Sequence, residues 1–535
     1  MQIKNEKIKI VVIIATSLGR IDELFNRSLP SVLNQTRKPD FILVVDDNNN
    51  VEISKENEAK LLELQKRIGG IYYIKNSKTK GMSGTGAWNS GFEWCKKYIT
   101  NNDYIAILDD DDRWERNYLK ECELKIFEKR YYPDQIVAFL KRSDLSEANF
   151  FELSDLCIEN FLIGNPGVQG SNMFFRFGAI ININGFDENL SSCTDRDIMI
   201  RFLSQKNVPK ISIIPKVLIN HFAGSKTITY DFIKKEKGLD YFYRKYISLY
   251  TKDLLEKSLL RSEKLFSYKN SKNIRKLWKL EHIYKAEEKI VIGIATHNNE
   301  STIRNSLLSV LKQKELKSKL WILIVDDNSD NDWKMENSDL LENDRVIYWN
   351  VNFCNVSKVR NYINTFIKTY FGNVKLIGRL DADDEYFDEF GLSKIEKLKD
   401  SENADVIFAG NYLKYNGKIL TKVNYAEKEL ENHDYLLKRL KEMAEGTAEN
   451  ELPSCNTFMT LKSLKKYPDM PSAEDHFLTS ILLWNKDGYK LAFAEKELLT
   501  IYNLNGKTTN TNKEKNIYTE ARKQLFKEIE SYGKS

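Results

Sequence analysis

Tyr104 to Trp114 reads Tyr-Ile-Ala-Ile-Leu-Asp-Asp-Asp-Asp-Arg-Trp, an apolar run that ends in four consecutive carboxylates. Like charges at the end of a buried strand repel one another, so the arrangement calls for a cation among them. Oxygen-only ligands suit a hard divalent ion such as Mg2+ or Mn2+. An acidic cluster on its own reads equally well as a solvated loop. What favours chemistry is that the event recurs: Leu376 to Phe387 reads Leu-Ile-Gly-Arg-Leu-Asp-Ala-Asp-Asp-Glu-Tyr-Phe, again an apolar strand, Asp-x-Asp-Asp and an aromatic.

Two further acidic stations accompany each Asp-x-Asp in fixed order. Upstream lie Asp46-Asp47 and Asp326-Asp327, each closing an apolar run. Downstream lie Asp195, in Thr194-Asp195, and Asp475, in Glu474-Asp475. Cleaving a sugar nucleotide needs three such groups: one to hold the nucleotide, a metal site to neutralise the departing diphosphate, and a carboxylate to take the proton of the attacking hydroxyl.

Strands and helices must alternate to position these stations. Ile10–Ala15 is continuously apolar, as a parallel strand covered on both faces should be. A helix over Ile21–Leu33, a strand into Asp46, a helix over Ser54–Ile68, a strand at Ile71–Ile74, a glycine-rich turn at Lys80–Gly91 with a helix, and the strand into Asp109 follow. This order predicts an α/β fold with a mostly parallel sheet and functional residues at the carboxyl ends of its strands.

The order then restarts. Ala15-Thr16 matches Ala295-Thr296 and Asp46-Asp47-Asn48 matches Asp326-Asp327-Asn328 at an offset of 280, while Ser31-Val-Leu-Asn-Gln35 matches Ser309-Val-Leu-Lys-Gln313 at 278. Offsets that long mark a duplicated domain, since solenoid periods are about 20 to 50 residues. The expected division is a first domain over residues 1–231, a basic helical connector over 232–288, a second domain over 289–510 and a helical tail over 511–535. From Phe232 to Lys289 there are sixteen Lys/Arg against eight Asp/Glu, with Tyr241, Tyr243, Tyr246, Phe266 and Trp278 interleaved. Two readings of that stretch stay open, a solvated connector and a patch for an anionic membrane face or a phosphate-bearing acceptor.

The ordered stations resemble the GT-A-fold inverting glycosyltransferases of family 2, in two copies, over nearly the whole chain apart from the connector and tail. The resemblance implies two Rossmann-like domains. It also implies that Asp46, Asp47, Asp326 and Asp327 bind uracil and ribose with Thr16 and Thr296 beside the base. Asp109 and Asp111, like Asp381 and Asp383, would hold the diphosphate of a UDP-sugar through Mn2+ or Mg2+, and Asp195 and Asp475 would be the catalytic bases. The copies depart from the family pattern in complementary ways. The second keeps its Ala-Arg-Asn as Val359-Arg360-Asn361, so Arg360 would meet the donor diphosphate, whereas the first reads Ala87-Trp88-Asn89. The first has His221 where many members place a late histidine near the metal; the second reads Tyr502-Asn503-Leu504 there.

The implied activity is bifunctional transfer, with inversion, to a glycan or lipid-linked acceptor, in bacterial surface polysaccharide or glycoconjugate assembly. The alternative is one catalytic domain beside a degenerate acceptor- or carbohydrate-binding one. A dinucleotide fold is disfavoured because Gly84-Thr-Gly86 follows the third strand and lacks a third glycine. A nucleotidyltransferase would want a glycine-rich loop after the first strand, where the chain reads Thr16-Ser-Leu-Gly-Arg20 and Thr296-His-Asn-Asn299. The six cysteines form no CxxC and read as reduced thiols. No apolar run reaches the roughly 18 residues of a membrane span. The expected location is cytoplasmic, peripheral on the inner membrane face, with no nucleic-acid partner.

Overall fold

Ile10–Thr16 (β1) is the strand about which the first sheet is ordered, because seven apolar or small residues in succession can be covered on both faces. In a computed structural model that describes residues 8–128, 132–222, 231–299, 301–330, 333–505 and 516–534, it pairs in parallel with Phe41–Asp46 (β2) and Tyr104–Asp109 (β4). The register sets Thr16 opposite Asp46 and Ala15 opposite Asp109, which brings the nucleotide and Asp-x-Asp stations to one end of the sheet. Ile71–Lys75 (β3) extends it on one side. On the other side follow Met173–Arg176 (β7), Gln135–Arg142 (β6), Ile211–His221 (β8) and the short Arg113–Trp114 (β5), in the order β3-β2-β1-β4-β7-β6-β8-β5.

The second sheet repeats that order. Lys289–Thr296 (β9), Lys319–Asp326 (β10), Val346–Asn350 (β11), Val374–Arg379 (β12), Glu385–Tyr386 (β13), Val406–Tyr415 (β14), Thr457–Met459 (β16) and Leu491–Asn503 (β17) run β11-β10-β9-β12-β16-β14-β17-β13. One hairpin strand, Lys418–Asn424 (β15), is added on β14. Both sheets are mixed and mostly parallel, as the α/β reading expects.

Small polar clamps recur with the strands. Asn89 donates to the carbonyl of Phe186 and accepts from its N–H, both at 2.9 Å. Asn361 does the same with Tyr467, at 2.8 Å each. Gln35 and Gln313 each accept from a helix-start N–H, that of Leu119 and Leu392. One packing contact is inverted. In the first unit Gly91 on the helix faces Ile13 on β1, and a Cβ there would lie 2.8 Å from Ile13 Cγ2; in the second, Gly293 on β9 faces Ile363 on the helix, at 2.5 Å.

The chain divides into two units, Met1–Ile274 and Arg275–Ser535, with the division inside the helix Ser271–His282. The expected boundary at 510/511 lies outside the described residues. The stretch expected to be a connector is not a free-standing one. Its first helix, Phe232–Tyr246, packs on the first unit with Phe242 and Tyr243 fully buried. Tyr246 and Lys245 both bond the buried carboxylate of Asp197, at 2.6 and 2.5 Å. Of the interleaved aromatics, Tyr243 and Tyr246 are thus core anchors, joined by Phe242.

The closing helix of the second unit, Ile517–Lys534, stands in the same relation to its domain. Phe242 stacks on Arg196, one residue past Asp195, and Arg522 contacts His476, one past Asp475; each pair is separated by 46 residues. The repeat therefore includes both of these helices, which composition alone had set outside it.

At Gly238 the helix Phe232–Tyr246 lies close against Ser192: a Cβ there would lie 2.1 Å from Ser192 Oγ and 2.5 Å from its backbone N. Gly→Ala inside a helix ordinarily gains up to about 1 kcal/mol. Here overpacking reverses the sign, and Gly238→Ala is expected to lose about 1–3 kcal/mol in urea unfolding; a stabilised variant would contradict the packing.

Candidate active sites

At the end of β4 the four carboxylates alternate. Asp110 and Asp112 are buried, while Asp109 and Asp111 retain some exposure. Asp110 accepts from Ser17 N at 3.0 Å and Arg20 Nη1 at 2.9 Å. Asp112 accepts from Phe222 N at 2.9 Å and takes His221 Nδ1 at 3.0 Å, with the Ser171 hydroxyl also donating to it. These two tie the turn to the loop after β1 and to the end of β8. Arg20 also reaches Asp111, at 2.8 Å.

Burial raises Asp109 well above the usual carboxylate range, and the charges of Asp112, Asp111 and Asp195 add to it. Burial likewise pushes Asp110 up to about 6 against the pull of Arg20, and Asp111 is raised by burial and by Asp112. Burial would lower His221, but its bond to Asp112 and the charges of Asp112 and Asp109 outweigh this and bring it to about 8.

Asp195 stands in the first turn of the helix Thr194–Leu203, whose preceding residue, Cys193, has φ +62. Burial pushes its carboxyl up to about 6, with a backbone bond from Gly170 and the charges of His221 and Lys235 opposing. Gly170 also leaves room for Asp109: a Cβ there would sit 3.3 Å from Asp109 Oδ2. The Asp-x-Asp and the downstream Asp thus come together at one place.

The upstream acids are placed differently from expectation. Asp46 accepts from Asn48 N, Asn48 Nδ2, Asn57 Nδ2 and the Tyr73 hydroxyl, at 2.8 to 3.1 Å. Asp326 likewise accepts from Ser329 N and Oγ, Trp333 Nε1 and the Tyr348 hydroxyl. A carboxylate offers about four acceptor positions, so both are saturated by their own chain and serve to fix the loop. Asp47 and Asp327 hold the next loop, through Asn76 Nδ2 and Gly81 N in the first copy and through the N–H groups of Phe353, Cys354 and Asn355 in the second. The hydroxyls of Thr16 and Thr296, by contrast, are buried without a hydrogen-bond partner among the described residues, the same orphan in both copies.

The second site opens into a cavity of about 560 Å³. Thr296, Asp327, Arg360, Asp381, Asp383, Glu474, Asp475, Tyr502 and Asn503 line it. Two buried arginines cross-link its acids. Arg360 pairs with Asp381 at 3.0 Å and with Glu474. Arg379, on β12 just before the Asp-x-Asp, pairs with Asp475 at 3.1 Å and Asp381 at 3.3 Å. The first copy has Ile107 in its place and Trp88 in place of Arg360. Burial would raise Asp475, yet the neighbouring His476, then Arg379 and Arg360, with Arg379 also in direct contact, hold it far below the usual carboxylate range. Asp381 is also lowered, by Arg379 and Arg360 against burial. Asp383 is pushed up to about 6 by burial and by Asp381, and Asp384, fully buried, accepts from Asn503 N at 2.9 Å.

Strand register corrects one pairing. Arg113 on β5 lies opposite Asn220, and Glu385 on β13 opposite Ile501. The equivalent of His221 is therefore Tyr502, and Asn503 corresponds to Phe222. Arg379 had a sequence signal, a lone arginine inside an apolar strand. Tyr518 and Arg522, which also line the second cavity, had none beyond a charged helix.

Among the described residues no group of three or more His, Cys, Asp or Glu forms a preformed metal cage. A hard ion that takes one or two carboxylates and fills its shell with phosphate and water does not need one. Asp109 and Asp111 fit such an ion, and the Asp112–His221 bond leaves His221 Nε2 free to turn toward it. In the second copy both oxygens of Asp381 are held by guanidinium groups, so Asp383 is the carboxylate left open.

A family model described as "Glycosyl transferase family 2" matches residues 12–182 and 291–465. An uncharacterized glycosyltransferase of Methanocaldococcus jannaschii is 26% identical over 246 residues, 44% of this chain and 77% of that protein. Among solved structures, S. aureus TarS 1-349 in complex with UDP-GlcNAc aligns with a TM-score of 0.32 and 20% identity, over 42% of this chain and 61% of that one. The Pyrobaculum calidifontis mannosyltransferase PcManGT, in complex with GDP-Man and Mn2+, aligns with a TM-score of 0.34 and 13% identity, over 46% and 65%.

Two stability measurements check the electrostatics. Asp195 is raised in the folded state, so above pH 6 its ionised form is held at a cost that disappears below the unfolded value near 3.8. Asp195→Asn should therefore unfold at a higher temperature than the parent at pH 8, and the gain should vanish as pH falls through 6 to below 4. Arg379→Gln leaves Asp381 and Asp475 short of a counter-ion and should cost about 3–5 kcal/mol. Adding Asp475→Asn should recover part of that loss; strict additivity would mean that the pair does not interact.

Proposed function

Because this chain belongs to glycosyl transferase family 2, we propose that it is a two-site enzyme. Each site takes a sugar from a nucleotide diphosphate donor, a UDP-sugar by preference, and passes it with inversion to a hydroxyl of a glycan or lipid-linked acceptor. The observation that carries this reading is the convergence of Asp109, Asp111 and Asp195 at the carboxyl end of the first sheet. There the base station stands near 6 with no cationic side chain bonded to it among the described contacts. A carboxylate so tuned is ionised at neutral pH and basic enough to accept the proton of an attacking hydroxyl. The departing diphosphate needs charge neutralisation and no proton, so one carboxylate suffices.

Mn2+ or Mg2+ at Asp109 and Asp111 would supply that positive charge when bound. His221 is oriented by Asp112, and Thr16 offers an unpartnered hydroxyl to the nucleotide. In the second domain Arg360 lines the cavity where the diphosphate would lie, and Asp383 remains for a cation. Sequential addition by the two sites gains from their being in one chain, which raises the effective concentration of each product at the other site.

A second reading is favoured by the Arg379–Asp475 pair. A base held by a guanidinium is a weak one, and the second domain would then bind donor or acceptor sugar without turning over. Peripheral contact with an anionic membrane face is supported by the outer side of Lys252–Phe266, where Lys257, Arg261, Lys264, Leu260 and Leu265 are exposed. No helix among the described residues is long and apolar enough to cross a membrane.

Nucleotide release from a panel of UDP-, GDP- and dTDP-sugars, with Mn2+ or with EDTA, tests these readings. Asp195→Asn should cut consumption of one donor by about 10²- to 10⁴-fold while leaving UDP binding intact, and EDTA should abolish it. Loss of a different donor with Asp475→Asn supports two active sites. Unchanged turnover in Asp475→Asn favours the binding-module reading, and unchanged turnover in Asp195→Asn removes the proposed base.

A further inference from the structure

The second cavity does not end at Asp475. Past it the wall is His476 together with Tyr518 and Arg522 of the closing helix Ile517–Lys534. That helix is firmly seated, with Ala521, Leu525 and Ile529 in a hydrophobic cluster shared with the helices His433–Glu445 and Glu474–Trp484. Arg522 lies flat on the Tyr518 ring, its guanidinium carbon 3.4 Å from the centroid, and both side chains reach Glu451, at 3.3 Å. The same guanidinium approaches His476 Nε2 at 3.4 Å. Since an arginine can only donate, Nε2 is the acceptor and the imidazole proton resides on Nδ1. That nitrogen is buried and has no hydrogen-bond partner among the described residues. On the cavity wall, the Tyr518 ring and the Arg522 guanidinium suit the apolar face and the hydroxyl acceptors of a sugar.

The first copy has nothing like it. Counting 46 residues on from the residue after its base, as the Arg196–Phe242 and His476–Arg522 contacts do, places Phe242 at the position of Arg522 and Gly238 at that of Tyr518. Gly238 closes onto Ser192, and Phe242 stacks on an arginine whose donors are used on the carbonyls of Phe161 and Leu162. The closing helix therefore seals the first copy with apolar packing and furnishes the second with polar side chains.

We infer that Tyr518, Arg522 and His476 form a saccharide subsite of the second domain, which binds a hexopyranosyl group next to Asp475 and gives that domain a sugar selectivity the first does not share. The inference rests on reading the second cavity as a nucleotide-sugar site. The hexopyranosyl group could be the sugar of the donor or the end of the acceptor glycan, and the experiment separates the two.

Calorimetry on the full chain carrying Asp109→Asn and Asp111→Asn, which disables the first site, reads the second alone. One arm compares UDP with UDP-glucose, UDP-N-acetylglucosamine and UDP-glucuronate. The other titrates the corresponding methyl glycosides in saturating UDP. Tyr518→Ala and Arg522→Gln should each weaken the contribution of the sugar by about tenfold and leave UDP within about twofold. Loss confined to the first arm assigns the subsite to the donor sugar, and loss confined to the second assigns it to the acceptor. Tyr518→Phe and Arg522→Lys, which keep most of the packing, serve as controls for folding, with unfolding midpoints measured for all four. A sugar contribution unchanged by every substitution, one undetectable in the parent protein in both arms, or a loss that UDP alone shares equally, overturns the subsite. Failure of the parent to bind UDP at all overturns instead the nucleotide-site reading on which it rests.

Discussion

Repulsion among carboxylates gathered where an apolar sheet ends is the constraint around which both domains are arranged. A strand such as Tyr104–Asp109 is stable because water is excluded from it, and that exclusion makes the charges at its end costly. Each copy meets the cost by spending some of its acids on structure: Asp110 and Asp112 of four in the first, and Asp384 of three in the second, are buried and hold loops or strand ends, which leaves Asp109 and Asp111, and Asp381 and Asp383, facing outward. The alternation follows from the tight turn after the strand, and it makes Asp-x-Asp, rather than four equivalent acids, the part that meets solvent.

The copies differ in where the compensating positive charge enters. In the first it comes from the edges, with Arg20 from the loop after β1 and His221 from the end of β8. In the second it comes from beneath, with Arg360 from the helix and Arg379 from inside the sheet. Edge compensation leaves the downstream Asp195 without a direct cationic bond among the described residues and raised by burial, whereas compensation from beneath, together with His476, lowers Asp475. One scaffold with identical strand order thus shifts two carboxylates of the same sequence role in opposite directions.

The first four strands and the duplication were legible in the sequence, because a long apolar run that ends in Asp has few other meanings and because Val-Asp-Asp-Asn and Ala-Thr recur at a fixed offset. The helices Phe232–Tyr246 and Ile517–Lys534 were not recognised as parts of the domains. Their lysines and glutamates dominate the composition, and the buried stripe of Leu239, Phe242, Tyr243 and Tyr246 emerges only when the helix is seated. Setting His221 against Asn503 failed for a different reason: both copies shift register at the same place, but β8 advances from Ile214 to Val217 where β17 advances from Ala494 to Leu498, one residue further, so counting residues from motif to motif cannot give the pairing. The loop-fixing role of Asp46 and Asp326 was not legible, because sequence shows a carboxylate and not the four donors around it.

The inverted contact between Ile13 and Gly91 in one unit and Gly293 and Ile363 in the other has a consequence for synthesis of the chain. Tandem domains of similar sequence risk exchanging equivalent segments while they fold. Here an exchanged first strand would meet the wrong partner, isoleucine against isoleucine in one hybrid and glycine against glycine in the other. The first collides and the second leaves a void, so the steric code at this one contact discriminates against cross-assembly between the halves of a single nascent polypeptide.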